Sequence, residues 1–179
     1  MDLQRQDAPE DTLSDEDKRA NVIRLAFGGS EERFLEFLRT IKEEIPEGTG
    51  VVLRGSAITG KRWHDGAPFD AEGTGTSDLD LTLVGDQAIG LFTVTGFFVP
   101  GLHSRPLSDG DPNIAPDLVA LRETLMAMTG RPVNIQASRE FVQQFRGDVL
   151  GQPYLTLVDP ATRPGSPREK SPGAQSEDA

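Results

Sequence analysis

Asp78 and Asp80 stand two residues apart in the run SDLDLTL, residues 77–83. In an extended strand that spacing puts both carboxylates on one face and turns Leu79 and Leu81 to the other. Two carboxylates so close repel unless a cation lies between them, and an all-oxygen pair suits Mg2+ or Mn2+ better than zinc. A second candidate lies upstream, where the apolar run GVVLR, residues 50–54, meets Gly55 and Ser56. Glycine there admits close backbone approach, and the amides and hydroxyl of such a corner can hold phosphate oxygens.

The same corner carries a decoy. Gly55 to Lys61, GSAITGK, has the spacing of a P-loop and follows an apolar run. A P-loop needs Ser or Thr after its lysine for magnesium, and a helix whose N-terminal amides face the phosphates. Here Arg62 follows, and RWHDGAPFDAEGTG is poor helix material, so the P-loop reading is set aside. Lys61 and Arg62 stay as candidate ligands of triphosphate oxygens. Arg54 is a weaker one, because strand alternation turns it away from Ser56. His64 and His103 are the two histidines of the chain. Both sit in turn-rich stretches without a partner at metal-ligand spacing and read as exposed loop residues, and Trp63 reads as loop packing. There is no G-x-S-x-G, and paired glycosidase acids come from separate elements, so neither hydrolase class fits.

The elements that must position these residues follow from periodicity. SDEDKRANVIRLAF predicts a helix capped by Ser14 and stopped by Gly28 and Gly29; EERFLEFLRTIKEEI predicts a second, capped by Ser30 and ended by Pro46. GVVLRG and LDLTLVG read as buried strands, with an extended loop over 57–77 between them. The apolar stretch 88–102 reads as buried strand and turn, residues 114–130 as a helix stopped by Gly130, RPVNIQA as a strand, SREFVQQF as a short helix capped by Ser138, and YLTLV as a last strand. The domain therefore spans 14–158. Dense acids over 1–13 predict a solvated, disordered arm, and the Pro-rich stretch 159–179 a disordered tail.

With this order of elements the chain resembles the nucleotidyltransferase superfamily of the polymerase-beta type. That signature is an apolar strand, Gly-Ser, a spacer, then Asp-apolar-Asp on the next strand; here it is VVLRGS and SDLDLTL, within roughly residues 30 to 145. The resemblance implies an α/β fold, a small mixed sheet flanked by helices. It implies transfer of a nucleoside monophosphate from an NTP to an acceptor hydroxyl or phosphate, with pyrophosphate leaving. Gly55 and Ser56 would hold phosphates, with Lys61 and Arg62 beside them, and Asp78 and Asp80 would hold Mg2+ or Mn2+.

One departure stands out. The superfamily carries a third carboxylate in an apolar-Asp-apolar strand, and here that place is VNI, with Asn134. An amide oxygen can coordinate a cation but brings no charge and cannot act as a base. Asp65, Asp70 and Glu72 in the long spacer restore the charge if the loop folds over the site. Otherwise the chain is a catalytically weak or inactive module of this fold, binding nucleotide or a protein partner in a regulatory or antitoxin-like role. The acceptor, whether protein, tRNA end or small molecule, is not encoded in any motif.

Composition narrows the partners. Lys and Arg number 18 against 29 Asp and Glu, a net charge of −11, which argues against broad attraction to DNA or anionic lipid. The absence of cysteine excludes disulfides, iron-sulfur clusters and thiolate zinc sites. The acidic start and the lack of a long apolar segment predict a cytoplasmic protein without a membrane span.

Overall fold

A computed structural model describes residues 13–160. The predicted acidic arm, Leu13 apart, and the tail beyond Pro160 lie outside the described residues. Helix α1 (Asp15–Ala26) starts where the Ser14 hydroxyl accepts the Asp17 amide at 3.1 Å, and α2 (Glu31–Glu44) where the Ser30 hydroxyl accepts the Arg33 amide at 3.3 Å. On α2 the apolar spacing buries Phe34, Phe37, Leu38 and Ile41, and Pro46 follows its end. Next come β1 (Gly50–Arg54), the short helix α3 (Ser56–Thr59), β2 (Leu79–Val84) and α4 (Asp86–Ile89). β3 (Phe97–Val99) and β4 (His103–Ser104) precede α5 (Val119–Thr129), β5 (Val133–Ser138), α6 (Glu140–Gln144) and β6 (Leu155–Val158). A π-helical turn, Phe145–Val149, continues α6. Among the described residues no helix is long and apolar enough to cross a membrane.

The six strands form one mixed sheet in the order β3-β4-β5-β2-β1-β6. Only β2 and β5 run parallel; the other pairs are antiparallel. Residues paired across a sheet share a face, so period two sorts the central strands into two kinds of row. Leu53, Leu81 and Ile135 make an apolar row, each at most 1% exposed. They belong to one core that also takes in the α2 phenylalanines and Leu121 and Leu125 of α5. Burying each such side chain contributes about 1.5–3 kcal/mol. The adjacent row, on the opposite face, is Arg54, Asp80 and Asn134. A one-residue slip of β2 would drive Asp80 into the core, so the apolar rows fix the register of the polar one.

Three sequence expectations need correction. The stretch 88–102 is not buried strand: Ala88, Phe92 and Gly96 are buried, but β3 lies at the sheet edge with Phe98 61% and Val99 48% exposed. Gly90, Gly96, Pro100 and Gly101 break it into pieces too short to be covered on both faces. The supposed loop over 57–77 begins as helix α3. Ser138 does not cap α6 but ends β5; Arg139 occupies the cap position, without a side-chain cap bond.

Candidate active site

The polar row opens into a cavity of about 820 Å³. Arg54, Gly55 and Asp80 line it from the central strands, Lys61, Arg62 and Trp63 from the loop after α3, and Arg146 and Gln152 from the C-terminal segment. Gly55 of the corner and Asp80 of the acid pair, separated by more than twenty residues of chain, thus meet, while Asp78 is not among the lining residues. Gly55 has φ 92°, and a Cβ built there would lie 3.1 Å from Asp80 Oδ2. Both the left-handed backbone and the close approach require glycine. Ser56 is buried at the start of α3, behind this corner, and is not among the lining residues. Gly55→Ala is expected to cost about 1–3 kcal/mol through backbone strain. By displacing the Asp80 carboxylate it should also weaken Mn2+ binding about tenfold in calorimetry.

Asn134 sits beside both acids. Its Nδ2 donates to Asp78 Oδ2 at 2.7 Å and to Asp80 Oδ1 at 3.0 Å, so two carboxylates converge on one atom. Burial first, and then the neighbouring charge of Asp78, push the Asp80 carboxyl up to about 6, against the Asn134 hydrogen bond and the charge of Arg146. Asp78 and Asp80 are the side chains here that could hold one divalent ion between their oxygens. Among the described residues no three His, Cys, Asp or Glu side chains gather as a metal group, so the donor set offers no third carboxylate. Asn134 would join such an ion only through its amide oxygen; as placed, it presents its NH2.

The spacer acids do not fill that gap. Asp65 and Glu72 both pair with Arg62, the former at 3.7 Å. Asp70, itself at positive φ, accepts the amides of Gly75 at 3.0 Å and Ser77 at 2.9 Å and takes both arms of Arg131 at 2.9 and 3.3 Å. Arg131 also donates to the Ser77 carbonyl at 2.8 Å and lies 4.5 Å over the Phe69 ring. Instead of supplying metal charge, Asp70 clasps the loop and fixes the chain entering Asp78. Desolvation works against the charge of Asp70, but Arg131 and the two amides prevail and hold its carboxyl at about 2.

Arg54 corrects a further expectation. The chain turns at Gly55, so alternation does not carry through to Ser56, and Arg54 shares the Asp80 row. Arg54 is 5% exposed; it donates to Gln143 Oε1 at 2.7 Å and to Gln152 Oε1 at 3.5 Å, and lies 5.5 Å over the Tyr154 ring. Burial, then the charge of Arg146, lowers it to about 10, which leaves it charged at neutral pH. Arg146, on the π-helical turn, donates to the same Gln152 oxygen at 3.0 Å. Sequence reading missed Arg146, Gln143 and Gln152; the faint signal was Gln143 and Arg146 three apart, on one helix face.

Lys61 is exposed, with no carboxylate within 4 Å among the described residues, and Trp63 is 44% exposed at the cavity wall rather than packed away. His64 is exposed, its Nε2 3.2 Å from Asp65. His103 is not an exposed loop residue: it lies in β4, stacked on Phe98. Burial, then Arg146 and Arg54, press its pKa down to about 4, so it is neutral near pH 7. Four cations thus line a cavity that holds one of two neighbouring acids, within a chain of net charge −11. Such a local reversal of charge favours a polyanion. Compared with family models, curated proteins and solved structures, the chain matches none.

Proposed function

We propose that this chain is a nucleotidyltransferase of the polymerase-beta type, moving a nucleoside monophosphate from an NTP to an acceptor and releasing pyrophosphate. The observation that carries the reading is the meeting of Gly55 with Asp80 in one cation-lined cavity, which brings the glycine of the phosphate corner to one acid of the pair. Lys61 and Arg62 bind phosphate oxygens, Gly55 lets the backbone approach them, and Trp63 offers an exposed ring to the base. A divalent ion, Mg2+ or Mn2+, on Asp78 and Asp80 supplies charge neutralisation at the reacting phosphoryl group. A cytoplasmic location, where NTPs are abundant, accords with this reading.

Asn134 favours a second reading. An NH2 group shared by both carboxylates holds them together without a cation, as suits a module that keeps the fold and binds nucleotide without turnover. The two separate when the chain is incubated with Mg2+ or Mn2+ and each α-labelled NTP, with and without cell extract. Label transfer and pyrophosphate release, abolished by EDTA, are expected. Nucleotide binding without release under any condition would leave the module; failure of every NTP to bind would remove both readings.

A further inference from the structure

Arg54 and Arg146 are more than a wall. Arg54 is buried and Arg146 partly so, both contact the Gln152 amide oxygen, and neither has a carboxylate within 4 Å among the described residues. Arg54 Nε and Arg146 Nη1 are buried with no hydrogen-bond partner among those residues. Two neighbouring cations with unused donors are costly to hold together unless an anion completes them. They also come from elements other than those of the loop cations: Arg54 from β1 and Arg146 from the π-helical turn, whereas Lys61 and Arg62 follow α3.

A second, independent observation concerns protons. An acceptor hydroxyl must lose its proton during attack, and the place of the superfamily's third carboxylate holds Asn134, whose amide takes none. An acceptor whose oxygen is already ionised at neutral pH has no such need.

Building on the nucleotidyl-transfer reading, we propose that the acceptor is an oxyanion, a phosphomonoester or a carboxylate, bound by Arg54 and Arg146 beside Asp80. Its anionic oxygen forms a bond to the α-phosphorus of the NTP, the bond from that phosphorus to the oxygen bridging to the β-phosphate breaks, and pyrophosphate leaves with the electron pair. No proton is transferred. Planar guanidiniums suit both oxyanions, and their fork geometry favours two-point contact.

The test uses the full chain and three matched probes: phenyl phosphate, benzoate and benzyl alcohol. In calorimetry without nucleotide, at least one oxyanion is expected to bind one to one and the alcohol not at all; the tighter of the two names the source. Arg146→Gln, a partly exposed position, should weaken oxyanion binding about tenfold or more, and Arg54→Gln likewise if circular dichroism shows it folded. With NTP and Mg2+ present, the oxyanion should stimulate pyrophosphate release, and in Arg146→Gln the loss should fall on the KM of the acceptor rather than that of the NTP. Oxyanion binding unchanged by Arg146→Gln, competition between oxyanion and NTP for one site, or stimulation by benzyl alcohol instead would each overturn the proposal while leaving nucleotidyl transfer standing. Absence of pyrophosphate release with every acceptor removes the parent reading and the acceptor role together, and calorimetry then decides whether the arginines bind an oxyanion at all.

Discussion

Asp80→Ala is expected to lower pyrophosphate release about a thousandfold or more, a loss of about 4 kcal/mol of transition-state stabilisation, while the protein becomes no less stable. The two halves have one cause. Asp80 is held on the polar face of β2, desolvated and beside Asp78, which is why its carboxyl is pushed up to about 6. Its charge is unfavourable to the folded chain, so removing it relieves a repulsion, and Asn134 still has Asp78 as an acceptor at 2.7 Å. A residue kept for structure would behave the other way. The complementary change is Asn134→Asp, which replaces the shared NH2 with a third carboxylate: without metal the melting temperature should fall through added repulsion, and with Mn2+ it should rise above that of the parent under the same conditions. Calorimetry in EDTA and in Mn2+ reads both. Full activity in Asp80→Ala would end the enzymatic reading of this site.

Asp70→Ala is expected to destabilise the fold by about 3–5 kcal/mol, because it strands Arg131. The side chains of this pair are 18% and 6% exposed. Loss of the carboxylate also leaves the Gly75 and Ser77 amides without their acceptor. For a domain of this size the melting temperature should fall by about 10 °C. Arg131→Met alone should hurt as well, and the double change Asp70→Ala with Arg131→Met should recover part of the loss, since no buried charge then lacks a partner. The sign of the pH effect follows from the depressed carboxyl. Asp70 contributes its stability above the unfolded value near 4, and that contribution drains away as pH falls from there through about 2. In Asp70→Asn that part of the acid limb should flatten. Because the same clasp holds Ser77, next to Asp78, Mn2+ binding should weaken alongside stability; intact Mn2+ affinity would show that the loop does not set the acid pair.

Much of the site was legible because it rests on short periods. Leu79, Leu81 and Leu83 on alternate positions left one orientation for Asp80, and the parallel neighbour β5, with Val133, Ile135 and Ala137 in the same phase, brought Asn134 to its side. What escaped lies where no period operates. Arg146 comes from a π-helical turn and Gln152 from the irregular link before β6, and only the non-local pairing of β6 with β1 draws them to Arg54. Asp70 and Arg131 are 61 residues apart, so nothing local distinguishes a clasp from a solvated loop acid. His103 misled because HSRP has the composition of a turn, yet its backbone is recruited into the sheet by Ser138, a partner far along the chain.

The position of β6 has one more implication. Among the described residues it is the last strand, yet it lies against β1, the first. During translation the glycine corner and the acid pair emerge early, whereas Arg146, Gln152 and the strand that secures them arrive after every other part of the pocket. A nascent polypeptide halted before residue 145 would carry the aspartates and Arg54 but lack Arg146, and with it half of the arginine pair that lines the cavity.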